Sequence, residues 1–338
     1  MAQVQVFPYG AATISAVLKS RPEDFRVIEE LGFEPGGNGE HLFLWIEKTA
    51  MSTHELIEQV ASDFSIHPKH IGYSGLKDKQ AVTRQWLSLH LPGQQALFKL
   101  PRVDRYQLLD HGWHHRKLRP GSHRFNHFEV LLRDVEQMPD SALKQLRLIG
   151  EQGIANYFGV QRFGRNQDNV EQALKQLDRR KLGRNKKALY LSSLRSYLFN
   201  RILSERISRG HWHNPLPGDV FMLRGTHSIF SENLDSELIQ RFQSQDISST
   251  ASLYGSGQCQ LSGSPLKIEN QVFSEREDIT RCLDRQGAKR QMRALRVAVG
   301  DFSYRHDRIE KTLLLKLRLP AGCYMTTLLD HFVETDSY

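Results

Sequence analysis

Alternation of apolar and polar residues occurs at both ends of this 338-residue chain, and helical periodicity replaces it in the middle. Strands are predicted at 41–48, 71–75, 82–91, 126–133, 295–299 and 312–319. Helices are predicted at 53–65, 168–180 and 188–209, with a last helix from Met325. The pattern predicts a mixed α/β (α+β) fold, in which one core is built from both chain ends and the middle region is inserted.

Two local patterns support these boundaries. Ser52 with Glu55 forms a capping box, and Leu56, Ile57 and Val60 then recur at helical spacing. The segment 13–30 is predicted to be extended, and the glycine-rich stretch 31–40 is predicted to be a turn. The chain from the 188–209 helix to about residue 265 contains glycine- and serine-rich segments, for which no element is predicted.

Cysteine usage and hydropathy exclude several classes of protein. The three cysteines, Cys259, Cys282 and Cys323, have no paired spacing, which argues against a disulfide framework and a thiolate metal site. No run approaches the roughly 18 apolar residues that a membrane span needs. The segment 1–19 lacks a basic region followed by an apolar one. We therefore expect a cytoplasmic protein with no membrane partner.

The positive charge is concentrated in one window. The chain carries a net charge of +8, and residues 162–201 hold eleven basic and three acidic residues, a surplus equal to the whole net charge. Aromatic residues are interleaved with this charge, and 179–187 is predicted to be a basic loop between two helices. A solvated helix face is the ordinary alternative. The combination favours binding of a polyanion, RNA or DNA.

Other chemistries have little support. The histidines at 111, 114, 115, 211 and 213 lack the His-x-x-x-His register and the cysteine partners of zinc sites, so we expect no metal. No glycine-rich segment precedes Gly-Lys-Ser/Thr or lies in a βαβ unit, so we expect no nucleotide cofactor. No Gly-x-Ser-x-Gly elbow is present.

One carboxylate stands out in the segment 75–85. Asp78 lies in a polar turn after an apolar strand, between Lys77 and Lys79. Neighbouring ammonium groups favour an ionised carboxylate, which a nucleophilic or general-base aspartate requires. An ordinary turn aspartate with solvated lysines is the alternative, and spacing alone favours it.

The motif around Asp78 closely resembles the signature of the TruD family of tRNA pseudouridine synthases. The matching pattern is Gly75-x-Lys77-Asp78-x-x-Ala81-x-Thr83-x-Gln85, followed by Ser88. Four more segments resemble the family in the same order along the chain: 19–30, 124–128, 156–164 and 319–324. The five segments are distributed over nearly the whole length of the chain.

The resemblance implies isomerisation of uridine-13 in tRNA to pseudouridine, without cofactor or metal. It assigns Asp78 as the catalytic nucleophile or base, and Phe25, Asn126, Phe128 and Tyr324 as contacts of the target uridine. The family's residue at the position of Tyr324 is phenylalanine. Asn126 and Phe128, two apart on a predicted strand, point to the same side. Two residues stay open as the basic partner of Asp78: adjacent Lys77, which would face the opposite way in an extended segment, and Lys19.

The resemblance also implies a domain plan. A pseudouridine-synthase catalytic domain would consist of 1–151 and 298–338, with a mixed antiparallel sheet, and an inserted TRUD domain, a smaller α/β domain, would span 152–297. The inserted domain would hold the tRNA backbone, and the cations assigned to that role are Arg179, Arg180, Lys181, Arg184, Lys186 and Lys187. No heptad pattern is present, which removes one route to a dimer, and we expect a monomer.

Two other functions use some of the same features. A non-catalytic RNA-binding or RNA-chaperone protein would need only the basic surface. A nuclease would need a carboxylate cluster for Mg²⁺, whereas the Lys-Asp-Lys turn offers one acid. Substitution of Asp78 by Asn separates the enzyme from the RNA-binding protein, because only the enzyme loses a product.

Overall fold

The computed structural model describes residues 5–93, 100–164, 166–177 and 182–335. The strands are β1 (Ile14–Ala16), β2 (Phe25–Glu30), β3 (His41–Thr49), β4 (Ile71–Tyr73), β5 (Val82–His90), β6 (Gln107–His114), β7 (Phe125–Leu132), β8 (Ile154–Ala155), β9 (Phe221–Leu223), β10 (Ile229–Phe230), β11 (Ile247–Leu253), β12 (Gln291–Ala294), β13 (Arg296–Val297), β14 (Gly300–Asp307), β15 (Thr312–Pro320) and β16 (Val333–Thr335). The α-helices are α1 (Thr53–Asp63), α2 (Asp140–Gln152), α3 (Asn169–Gln176), α4 (Arg184–Ser208), α5 (Ser236–Gln243), α6 (Gly263–Glu275), α7 (Glu277–Arg285) and α8 (Met325–Leu329). Single 3₁₀ turns occur at Pro22–Asp24, Pro68–His70 and Val160–Phe163.

The chain divides into two compact units. The sheet unit contains the described residues of 13–143, 299–323 and 333–335. The helical unit contains those of 5–12, 144–298 and 324–332. Each unit therefore combines segments that are far apart in the sequence.

Within the described residues, the sheet unit is built on a sheet of eight strands. Their order is β14-β15-β7-β2-β5-β3-β6, and β4 pairs with β5. The β2–β5 pair is parallel and the other pairs are antiparallel. Because β15 pairs with β7 and β14 pairs with β15, the C-terminal part of the chain completes a sheet that the N-terminal part begins.

Strand alternation gives the sheet a buried face. On β2, Phe25, Val27 and Glu29 are buried, whereas Arg26 and Ile28 are exposed. Their antiparallel partners on β7 are Val130, Phe128 and Asn126, so one row of side chains runs across both strands. Glu29 is the one ionisable residue in this row, and it occupies a position that the alternation reserves for apolar residues.

Helix α1 packs on β3 and β5 of the sheet unit. Leu56, Ile57 and Val60 of α1 form a core with residues of β3 that include Leu44 and Ile46. The predicted capping box is present: Ser52 Oγ accepts from the Glu55 amide, and the Glu55 carboxylate accepts from the Ser52 amide at 2.7 Å. Helix α1 therefore begins where the sequence predicts.

The helical unit is organised around α4. This helix buries residues along most of its length, and its core also draws on α3, α6 and α7. A four-stranded sheet in the order β10-β9-β11-β12 and the pair β8–β13 belong to the same unit. None of the helices in the described part of the chain is long and apolar enough to cross a membrane.

The mixed α/β fold is confirmed. The prediction of a basic loop at 179–187 was wrong for residues 184–187, which form the first turn of α4. A strand is present within the predicted 295–299 segment, and this strand, β13, pairs with β8 in the helical unit. The stretch up to residue 265, for which no element was predicted, contains α5, three strands and the start of α6. Strand β6 and helix α2 were not predicted. The residues of β6 are mostly half-exposed or exposed, so this strand shows little of the alternation that reveals the others.

Candidate active site

Asp78 lies in the turn between β4 and β5 of the sheet unit. Its side chain is 46% exposed, while that of the preceding residue, Lys77, is buried. The Asp78 carboxylate is thus accessible from solvent while the residue before it is anchored in the interior.

Lys19 forms the ion pair with Asp78. Its Nζ lies 3.2 Å from Asp78 Oδ2 and 4.1 Å from the centre of the Phe25 ring. The Lys19 backbone has a φ of 58°, in the left-handed region that non-glycine residues rarely occupy, and its carbonyl accepts from Gln80 Nε2 at 2.7 Å. Left-handed backbone of this kind is often found at functional sites, where surrounding contacts hold it.

The ammonium of Lys77 has a different partner. Its Nζ lies 2.5 Å from Glu29 Oε2, and both side chains are almost completely buried. Glu29 Oε1 also accepts from the Trp86 amide at 3.2 Å. Of the two residues that the sequence leaves open, the structure therefore pairs Lys19 with Asp78 and Lys77 with Glu29.

Side chains on β3 and α1 form hydrogen bonds with the backbone of the turn that contains Asp78. Lys48 Nζ donates to the carbonyl of Met51 and, at 3.2 Å, to that of Asp78. The Lys77 amide donates to Thr53 Oγ1 at 2.9 Å, and this hydroxyl donates to Gln85 Oε1 at 3.0 Å. Two consecutive residues of the turn are thus fixed by side chains on β3 and α1.

Burial changes the ionisation of Lys48. Loss of hydration lowers its pKa from 10.5 to about 8, and the negative charge of Asp78 partly opposes this shift. Lysine at a buried strand position is uncommon, and here the ammonium donates to two backbone carbonyls, those of Met51 and Asp78.

Phe25, Phe128 and Asn126 lie on the same face of the sheet. The rings of Phe25 and Phe128 meet edge to face, with centroids 6.1 Å apart. Phe25 is only 1% exposed, beneath the Lys19 ammonium, whereas Phe128 and Asn126 are each 8% exposed. Asn126 and Phe128 point the same way, as their spacing on β7 predicts.

Asn126 has one partner of its own. Its Nδ2 lies 3.1 Å from Nε2 of His123, a buried histidine just before β7. Asn126 Oδ1 is buried and has no hydrogen-bond partner among the described residues. Four residues around the site were not identified from the sequence: His123, Glu29, Lys48 and Thr53. For Glu29 and Lys48, a charged residue at a strand position that is otherwise buried was the local signal that could have identified them.

Tyr324 belongs to the helical unit, not to the unit that holds Asp78. It is 37% exposed and directly precedes α8, whose Leu328 amide donates to the Tyr324 carbonyl.

The basic window contains two kinds of residue. Arg179, Arg180 and Lys181 lie outside the described residues. Arg184, Lys186 and Lys187 are exposed in the first turn of α4, which contains no acidic residue. By contrast, Arg195 donates to the backbone carbonyls of Leu253, Tyr254 and Lys289. Part of the charge surplus is therefore structural.

The described residues contain no group of three or more His, Cys, Asp or Glu side chains that could hold a metal ion. The accessible Asp78 carboxylate with its Lys19 partner is the prominent chemical feature of this turn.

Comparison with known proteins gives consistent matches over the whole length. The family model described as tRNA pseudouridine synthase D (TruD) matches residues 2–171 and 165–332. The tRNA pseudouridine synthase D of Methylococcus capsulatus is 37% identical over 332 residues, which cover 97% of this chain and 94% of that protein. The protein of the same name from Aeromonas hydrophila is 37% identical over 340 residues, covering 99% and 96%.

A solved structure shares the fold. The crystal structure of a putative tRNA pseudouridine synthase D from Methanosarcina mazei matches with a TM-score of 0.74 at 22% identity. The match covers 97% of this chain and 96% of that one.

Proposed function

Since the chain belongs to the TruD family of tRNA pseudouridine synthases, we propose that it isomerises uridine-13 of tRNA to pseudouridine without a cofactor, with Asp78 as the catalytic residue. In this reaction the N1–C1′ bond of the nucleotide breaks and a C5–C1′ bond forms. The proton on C5 leaves and N1 is protonated, so substrate and product are isomers. No oxidant, reductant or group donor is required.

The observation that carries the proposal is the position of the Asp78 carboxylate. This carboxylate is exposed on a turn whose backbone forms hydrogen bonds with the side chains of Lys48 and Thr53. Lys19 binds one carboxylate oxygen, Oδ2, at 3.2 Å, which leaves Oδ1 free to approach a substrate atom. A carboxylate held in this way can act on the sugar or on the base, or can accept the proton from C5.

The target base must be extruded from the tRNA before Asp78 can reach it, and aromatic faces offset the lost stacking. Phe128, which is 8% exposed where Phe25 is 1% exposed, is our candidate for this contact, and Asn126 beside it would bind the uracil edge. We assign Phe25 a supporting part, because its ring lies under Lys19 and packs against Phe128. Tyr324 stays a proposed contact of the target uridine, as the family resemblance implies.

The test is pseudouridine mapping at position 13 in tRNA from cells that lack this protein. Wild-type protein and the Asp78→Asn variant are incubated with this tRNA in EDTA without cofactor. Asp104→Asn is the matched control, because Asp104 is a strongly exposed acid of the same unit. We expect product from wild type and control, and a loss of at least about 10³-fold for Asp78→Asn.

Two other outcomes would replace the proposal. Tight tRNA binding by wild type and Asp78→Asn, with no pseudouridine from either, would identify a non-catalytic RNA-binding protein. Cleavage of the tRNA that EDTA abolishes would identify a nuclease.

We propose that the domain of residues 152–297 binds the tRNA backbone. The first turn of α4 supports this role, since Arg184, Lys186 and Lys187 there are placed against the helix dipole, where cations are unfavourable for the fold. The triple variant Arg184→Ala/Lys186→Ala/Lys187→Ala should lower the slope of log affinity against log salt by about 2 to 3, with turnover at saturating tRNA unchanged. The exposed Lys267, changed to Ala, is the control, and an unaltered slope in the triple variant contradicts the assignment.

A further inference from the structure

The side-chain amide of Asn126 has two different ends, and the structure gives only one of them a partner. Nδ2 lies 3.1 Å from His123 Nε2, while Oδ1 is buried without a hydrogen-bond partner in the described part of the chain. A buried acceptor without a donor costs free energy, and such groups are rare in proteins. Asn126 therefore has an unused acceptor in the row of side chains that contains Phe128.

We propose that His123 is a positioning residue that fixes the Asn126 amide so that Oδ1 accepts from the N3–H of uracil, and that this pair selects uracil over cytosine. The inference rests on the proposed function, because it requires a uridine as the target. The proposal adds His123 to the site and fixes the direction of the hydrogen bond between Asn126 and uracil. An asparagine that rotates freely could present either its acceptor or its donors to the base.

Close packing surrounds the His123 imidazole, and its burial favours the neutral form. A Cβ at Gly75 would lie 2.9 Å from His123 Cε1, so the glycine allows the ring to pack closely against the strand end before the Asp78 turn. Burial lowers the pKa of His123, and the positive charge of Lys77 acts in the same direction. The negative charge of Glu29 and the backbone of Ser74 oppose the shift.

The neutral form is the one that the proposal needs. Nε2 can accept from Asn126 Nδ2 only when the ring proton is on Nδ1 and the imidazole is uncharged. A protonated His123 would present a donor to the donor end of Asn126. The amide would then turn over, and its NH₂ group would face the N3–H of uracil.

The same geometry discriminates between the two pyrimidines. Uracil carries a hydrogen at N3, whereas N3 of cytosine is an acceptor. With Nδ2 held by His123, Oδ1 would meet the N3 lone pair of cytosine, and two buried acceptors would be left facing each other. A site that matches a hydrogen-bond donor rejects an analogue that lacks it, because its own polar group is then unpaired.

Two substitutions of His123 separate positioning from packing. His123→Leu fills the space without an acceptor, and His123→Gln retains an oxygen that can accept from Asn126 Nδ2. The affinities of otherwise identical tRNA transcripts with U13 or C13 are measured at neutral pH by filter binding. We expect wild type to prefer U13 by about 10- to 100-fold, His123→Leu to lose most of this preference through weaker binding of U13, and His123→Gln to retain it.

A pH profile supplies a readout that packing alone would not change. The U13 preference of wild type should fall as the solution is acidified through the pKa of His123, and that of His123→Gln should not, because glutamine does not titrate. His127→Gln is the control: His127 alternates with Asn126 on β7, is partly exposed and pairs with Glu30 at 2.6 Å, so its loss should leave the U13 preference unchanged.

The possible failures are distinguishable. Wild type that makes no pseudouridine contradicts the proposed function itself. An active wild type whose U13 preference is unaltered in His123→Leu, or whose preference has the same pH dependence in His123→Gln, overturns the role of His123 alone.

Discussion

Each unit of this protein contains an ion pair that is almost completely buried, and the two pairs are built differently. In the helical unit, Arg206 binds Asp219 through two parallel hydrogen bonds of 2.8 Å. In the sheet unit, Lys77 binds Glu29 through one contact of 2.5 Å. Burying a charge costs free energy unless its partners replace the hydrogen bonds that it made with water. The contacts around each pair therefore indicate the role of that pair in the protein.

Neighbouring residues of the helical unit form further hydrogen bonds with both members of the Arg206–Asp219 pair. Asp219 also accepts from the Leu216 amide and from Ser249 Oγ, each at 2.8 Å, and Arg206 Nε donates to the His211 carbonyl. These contacts connect the end of α4 to the loop before β9 and to β11. The pair joins elements of a core, and none of its hydrogen-bond partners in the described part of the chain is a residue assigned to the site.

The Lys77–Glu29 pair lies immediately behind the proposed catalytic turn. Lys77 precedes Asp78 in the chain, and Glu29 stands opposite Asn126 in the strand register. The difference suggests that the first pair stabilises a fold and that the second also sets the orientation of a turn. Four experiments test whether the two units differ in this way.

The largest effects are expected when one partner of each pair is removed. Lys77→Met and Arg206→Met each leave a buried carboxylate unpaired and should each lower the free energy of unfolding by about 3 to 5 kcal/mol. Urea unfolding measures this loss. At a temperature where both variants are folded, kcat should fall at least tenfold for Lys77→Met and stay within twofold of wild type for Arg206→Met. Equal values of kcat would remove the distinction between the pairs.

The second effect concerns His331, a completely buried histidine of the helical unit. Its Nε2 accepts from the Ala155 amide at 2.9 Å, its Nδ1 donates to the Thr327 carbonyl at 2.8 Å, and burial lowers its pKa to about 4. The unfolded chain binds this proton near pH 6.5, so the stabilising contribution is complete above that pH and declines as the pH falls to about 4. The decline amounts to about 3 kcal/mol.

His331→Gln keeps an acceptor and a donor but does not titrate, so it should lose less stability than wild type between pH 6.5 and 4. Burial of the neighbouring Asp330 raises its pKa to about 6 and acts in the opposite sense over the same range, and its presence in both proteins removes it from the difference. Parallel stability curves would show that His331 does not ionise as burial predicts. The U13 preference should be unaffected, in contrast to the result expected for His123.

A smaller effect is expected when the remaining charge of each pair is also removed. Lys77→Met/Glu29→Gln keeps an acceptor for the Trp86 amide, and Arg206→Met/Asp219→Asn keeps one for Leu216 and Ser249. Each double variant should regain about 2 kcal/mol of the stability lost in the single variant. Turnover of the sheet-unit double variant should stay low. Its full recovery would mean that Lys77 acts only on stability.

The smallest effect is assigned to Lys48. Lys48→Met removes the donors to the carbonyls of Met51 and Asp78 and leaves the Lys19–Asp78 pair in place. We expect kcat to fall about tenfold, equivalent to about 1.4 kcal/mol, with KM little changed, because the turn that carries the carboxylate becomes less well defined. Steady-state kinetics on tRNA measure both constants. A change in KM alone would place Lys48 in binding.

Local patterns in the sequence were sufficient for the elements that carry their own signals. The capping box of Ser52 and Glu55 located the start of α1, and alternation located β5 and β7. These signals are reliable because they report hydrogen bonds and burial among residues close in the chain. Helix α5 and strand β6 were missed, since α5 is short and lies among turn-forming residues and β6 is mostly half-exposed or exposed.

The amino-acid sequence alone was sufficient to recognise the resemblance to the family, the mixed α/β class and the motif in which Asp78 stands out. Tertiary structure decided the partners: Lys19 for Asp78, Glu29 for Lys77 and His123 for Asn126. The first two pairs join segments distant in the chain, because β2 lies between β5 and β7 in the sheet. The stability of such strand pairing comes from the row of side chains that it buries, and no local stretch of sequence contains both sides of that row.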